Sequence, residues 1–207
     1  MPDRPTDLQR VILDATRNLL ARNGYTNLSM RKIAKKIGYS ATTIYLHFEN
    51  KDALFHALID EGMHRLYESL YSVHTQYSDA PVERLRALCR QYIQFGLDEP
   101  EYYEVMFMLH PEHMERYPAA KYRRARRNLD LFAQALEDGV TEGVMAVQNS
   151  RVAASSTWAA LHGTVTLLIA QRVDARIDHE AFITAAIDQA LYGLLPRTHA
   201  DPAVPKT

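Results

Sequence analysis

Apolar residues recur along almost the whole chain with a helical period. Leu8, Val11, Ile12, Ala15 and Leu19 form a first stripe at i, i+3, i+4 and i+7 spacing, which Asn23-Gly24 ends. Met30, Ile33, Ala34 and Ile37 form a second, shorter stripe stopped by Gly38. Ser40 is placed to cap a third short helix holding Ala41, Ile44, Tyr45 and Phe48. Asn50 caps a longer one with Leu54, Phe55, Leu58, Ile59, Leu66 and Leu70 along its face. Beyond it, Asp79-Ala80-Pro81 reads as a helix start, because proline is tolerated in a first turn, and Leu85, Leu88, Cys89, Tyr92 and Ile93 follow. A short segment runs from Pro100 to Pro111, and a further helix carries Leu129, Phe132, Leu136 and Val140. The last two helices are predicted over about 152–172 and 179–195. No alternating β pattern interrupts this, so the expected fold is all-α with about nine helices. The tail at 196–207, with Pro196, Pro202 and Pro205, is expected to be disordered.

Composition changes this picture little. Hydrophobic residues make up 47% and charged residues 24% of the 207, the balance of a globular chain rather than a fibrous or disordered one. A single cysteine, Cys89, excludes an intrachain disulfide and a cysteine-rich zinc module, and its place on an apolar stripe reads as buried. The segment MPDRPTDLQR has no apolar run, so no secretory signal is expected and the protein should stay in the cytoplasm. The 20 residues between Arg151 and Arg172 carry no charge and are long enough to span a bilayer. Ser155, Ser156, Thr157, His162, Gly163, Thr164, Thr166 and Gln171 make them too polar for lipid, so a helix buried in protein is expected and no membrane partner.

Charge is more informative when divided. Formal net charge is −1, yet residues 1–51 hold nine Lys/Arg against four Asp/Glu, a balance of +5. The other 156 residues hold fifteen against twenty-one, a balance of −6. One end of the chain is suited to an anion.

The basic end also carries the strongest motif. Two short helices meeting at Gly38-Tyr39-Ser40 have the shape of a helix-turn-helix, whose second helix fits the DNA major groove. The stretch from Gly24-Tyr25-Thr26 through Ser29-Met30-Arg31-Lys32-Ile33-Ala34, Gly38-Tyr39-Ser40, Thr43-Ile44-Tyr45, His47-Phe48, Asn50-Lys51 and Leu54 resembles the TetR (tetracycline repressor) family. That resemblance implies a homodimeric, ligand-responsive transcriptional regulator, usually a repressor, with a three-helix reader and a larger helical body that binds a ligand and dimerises. The corresponding domains are 1–50 and 51–195. It also implies DNA-contacting roles for Ser29, Arg31, Ala41, Thr42, Thr43, Tyr45, Leu46, His47 and Lys51, with Ser29, Tyr45 and Lys51 at phosphate positions. The chemistry agrees, since Arg bonds guanine bidentately and Thr or Leu methyls pack on thymine.

In the body, Trp158-Ala159-Ala160-Leu161-His162-Gly163 and Pro100-Glu101-Tyr102 resemble a Trp-x3-His-Gly subclass of TetR C-terminal domains. Tyr92, Phe95, Met106, Phe107, Phe132, Trp158 and His162 are candidates to line a pocket for a hydrophobic or amphipathic effector, although aromatic and Met stripes also serve as plain core. Ala160, Gly163, Thr164, Ile183, Ile187, Leu191 and Leu194 are candidates for a dimer interface built from the last two helices. No cofactor or metal is expected: His110 and His113 lack a third fixed ligand. The basic run 121–127 reads as a solvated helix face. Against an enzyme, the chain has no glycine-rich phosphate loop, no G-x-S-x-G and no H-E-x-x-H. The alternative is a helical binding protein whose helix-turn-helix does not read DNA specifically.

Overall fold

The computed structural model describes residues 7–196 apart from 26 and 109–117; His110, His113 and most of the expected tail lie outside these. Among the described residues the chain is all-α, with ten helices and no strand. They are α1 (Asp7–Asn23), α2 (Met30–Ile37), α3 (Ala41–Tyr45), α4 (Lys51–Gln76), α5 (Pro81–Asp98), α6 (Pro100–Phe107), α7 (Ala119–Ala125), α8 (Arg127–Thr141), α9 (Ser150–Ile169) and α10 (His179–Tyr192). The tenth helix is α7, which overlaps the basic run 121–127 that the sequence reads only as a solvated helix face and not as a separate element. Lys121-Tyr122-Arg123-Arg124 offers no apolar stripe, so periodicity could not reveal it.

The chain forms two compact units, and their division differs from a cut at residue 50. Met1–Leu66 groups with Asp98–Ala125, and Tyr67–Leu97 groups with Arg126–Thr207. In the first unit α1, α2 and α3 pack together, and α1 also packs on α6. Ile12, Ile33, Ile44, Leu54 and Phe55 are fully buried there, so the start of α4 is part of the same core as the three reader helices. In the second unit α9 packs on α8 and α10. Leu85, Leu88, Phe132, Leu161 and Ile187 fill its interior.

Polar side chains fix the helix ends. Ser29, Asn50, Asn149 and Asp178 accept backbone N–H groups that the first turns of α2, α4, α9 and α10 leave unpaired. Buried Arg84 on α5 donates to the carbonyls of Tyr77 and Ser78 and pairs with Asp138 at 2.6 Å, which ties the α4–α5 turn to α8.

Candidate DNA-reading face

The reader begins with a glycine that its turn requires. Gly38 ends α2 at φ 75°, in the left-handed region that costs a residue with Cβ about 1–2 kcal/mol. Its neighbour Tyr39 donates its N–H to the Ala34 carbonyl at 3.0 Å, and Ser40 then caps α3. Ile44 of α3 is fully buried, and that inward anchor turns the rest of the short helix outward.

The predicted contact residues divide by environment. Arg31, Thr42, Tyr45 and Leu46 are exposed, Leu46 to 79% and Tyr45 to 52%. A leucine this bare in a folded reader has no packing role within the chain. Ser29, Ala41, Thr43 and His47 are half-buried. The Ser29 hydroxyl accepts from Lys32 N–H at 3.3 Å, which leaves its own proton to donate. The Thr43 hydroxyl bonds that of Ser40 at 2.9 Å.

Lys51 is placed otherwise than a freely reaching phosphate ligand. Its ammonium donates to the Tyr25 carbonyl at 2.7 Å and lies 3.7 Å from the Tyr25 ring centre. Burial holds it below the ordinary lysine range, against the opposing pull of Asp52. The Tyr25 hydroxyl in turn donates to Asp52 at 3.1 Å, and burial followed by Asp52 pushes that phenol up to about 12. Tyr25, Lys51 and Asp52 together clamp the α1–α2 turn to the start of α4. Sequence reasoning missed this role for Tyr25 and Asp52, because nothing in spacing pairs residues 25 and 52. It also passed over Tyr39, 49% exposed at the turn between α2 and α3.

The body candidates are divided between the units. Met106 and Phe107 belong to the first unit and are half-buried, while Tyr92, Phe95 and Phe132 are buried in the second. Trp158 and His162 stack with ring centres 5.2 Å apart, and burial lowers the His162 pKa. Of the dimer candidates, Thr164, Ile183, Ile187 and Leu191 are buried by the chain's own packing and Leu194 is half-buried. Ala160 and Gly163 are exposed on α9, and a Cβ added at Gly163 would meet nothing within 4 Å. The stripe on α10 thus serves the home core. The exposed α9 face, from Val152 at 65% through Ala159, Ala160 and Gly163 to Leu167 at 43%, is left open. By length and apolar content α9 would also suffice to cross a membrane, with mean hydropathy 1.3 and a third of its apolar window buried.

Comparison with known proteins adds the following. The sequence profile described as bacterial regulatory proteins of the tetR family matches residues 12–58. That described as a tetracyclin repressor-like C-terminal domain matches 85–190. An uncharacterised HTH-type transcriptional regulator of Haemophilus influenzae is 43% identical over 67 residues, covering 32% of this chain and only 34% of that protein. A Rhodococcus sp. RHA1 protein of unknown function superposes with TM-score 0.80 at 24% identity, over 95% of this chain and 100% of the other. The Bacillus subtilis regulator FadR, solved with stearoyl-CoA, gives 0.70 at 20% identity, over 89% and 98%. At these identities the two structures share the fold.

Proposed function

Because the chain belongs to the TetR family of bacterial regulatory proteins, we propose that it is a cytoplasmic, DNA-binding transcriptional repressor that works as a homodimer. The reader holds a near-palindromic operator, with the two α3 helices in successive major grooves about 34–36 Å apart. The observation that carries this reading is the outward face of α3. Thr42, Tyr45 and Leu46 stand exposed, as does Arg31 on α2, within a segment whose formal charge is +5. An apolar surface set in positive charge suits thymine methyls between phosphates.

The second copy docks through the exposed face of α9, where Ala159, Ala160 and Gly163 allow close helix approach. The effector is a hydrophobic or amphipathic small molecule held by the body. The stearoyl-CoA bound to FadR, which shares this fold, supports that chemical class. Effector release of DNA follows from movement of α4, whose start shares the reader core and whose end belongs to the second unit.

Selection of genomic fragments bound by the purified protein tests the proposal. A shared near-palindrome is expected, with affinity falling steeply with salt. Retention of fragments without common sequence would favour the alternative of a helical binding protein that does not read DNA.

A further inference from the structure

One aromatic ring joins three helices of the first unit. Tyr102 of α6 is buried, and two guanidinium groups lie over its ring, Arg17 of α1 and Arg65 of α4, each 5.0 Å from the ring centre. Glu99, immediately before α6, accepts from both, at 3.4 Å from Arg17 and 3.1 Å from Arg65. Glu61 of α4 accepts from Arg65 at 3.2 Å and takes the Tyr102 hydroxyl bond, while Arg10 of α1 stands 3.8 Å away. One turn along α6, Met106 packs on Gly62 of α4, where a Cβ would come within 3.1 Å of Tyr102 Cδ1. The α6 helix therefore crosses α4 at a point without a side chain.

Isolated exposed ion pairs contribute little. Here the two carboxylates are shared by three arginines, and two of the cations rest on a buried ring, which strengthens a cation–π contact by desolvation. Such a joint rests on several shared contacts rather than on one pair. It fastens α1, the first helix of the reader, to α6, the helix that carries Met106 and Phe107.

We propose that Tyr102 and Arg17 are positioning residues for operator reading, coupling the state of α6 to that of α1 through the Glu61–Glu99–Arg65 cluster. The inference rests on the reading of this protein as an operator-binding regulator. Coupling between two sites is reciprocal: if α6 biases the reader, DNA on the reader must bias α6. The effector is thus not needed for the test.

Amide hydrogen exchange on the full-length protein, with and without the selected operator duplex, reads this directly. In the wild type, exchange in α6 slows at least about fivefold when DNA binds. In Arg17→Met, which keeps the aliphatic stem, the slowing in α6 disappears while α2 and α3 remain protected by DNA and the melting temperature is kept. Tyr102→Leu behaves likewise if it folds, and Arg17→Met decides the matter if it does not. Equal slowing of α6 in Arg17→Met and wild type overturns the proposal, as does an α6 unaffected by a bound operator. Failure to retain any DNA overturns the operator reading itself, a result distinct from both.

Discussion

Tyr39, Tyr45 and Leu46 stand exposed in a segment with nine basic and four acidic residues, whereas Val152, Ala159 and Leu167 stand exposed on a helix without a charge from Val152 to Gln171. Both are unburied apolar surface, and each carries one of the two proposed interactions. What separates them is the electrostatic setting. Apolar groups framed by cations suit a polyanion whose base edges carry methyls. Apolar and small groups without charge suit another apolar helix, since no desolvation of ions opposes the contact. On the proposed reading, the exposed face of the first unit meets DNA and the open α9 face of the second meets another copy of the chain.

The largest effect expected from breaking this contrast lies on α9. Charging the open face with Ala160→Arg and Gly163→Arg should convert the dimer to a folded monomer, seen by sedimentation. Operator affinity should then fall about a thousandfold, toward non-specific binding. A folded, dimeric double variant would refute the assignment of this face. Next comes Ile187→Ala, a cut into the buried side of α10, expected to cost about 3 kcal/mol in urea unfolding, against little for Leu46→Ala, which is 79% exposed.

On the reader the separation reverses. Tyr45→Ala should weaken operator binding by about 2 kcal/mol with the urea midpoint little moved, because the side chain is 52% exposed. Lys51→Met should lower stability by about 1 kcal/mol, since it removes the donor to the Tyr25 carbonyl. An unchanged urea midpoint for Lys51→Met would show the clamp to be ornamental.

The smallest effect is one of pH. Burial holds His74, at the end of α4, and His162 below the ordinary histidine value of 6.5, and Arg84 adds to the effect at His74. As pH falls below 6.5 the unfolded chain therefore takes up protons that the folded chain refuses. Stability is full above that value and declines through the window down to the folded values, by at most about 1.4 kcal/mol per pH unit for each histidine. His74→Gln should flatten the dependence of urea stability between pH 7 and 5, and an unaltered slope would contradict the assignment.

Much of this organisation is legible in the sequence. The periods of Leu8 to Leu19 and Met30 to Ile37, with Gly38 and Ser40 between the next two helices, suffice to place the reader, because each signal is local: a spacing, a cap, a left-handed turn. The α7 helix was legible only as the solvated face of the basic run 121–127, since its seven residues carry no stripe of large apolar side chains. Ile183, Ile187 and Leu191 are expected at a dimer interface yet are buried within the chain, because a stripe records that a face is buried and not by what. Apart from the i,i+4 pair Glu61–Arg65, the Lys51 clamp and the cluster around Tyr102 have no sequence signature, as they join residues 26 to 85 positions apart.

The sequence by itself determined the helical class, the helix-turn-helix motif and the division of charge between the basic N-terminal segment and the acidic remainder. These depend on residue type and spacing within one or two turns. Tertiary structure alone decided which apolar stripes are spent within the chain, where α4 stops belonging to the reader core, and which cations are free to meet a phosphate. Those outcomes turn on packing between distant segments, where burial and a ring or carbonyl within reach can take a charge out of service.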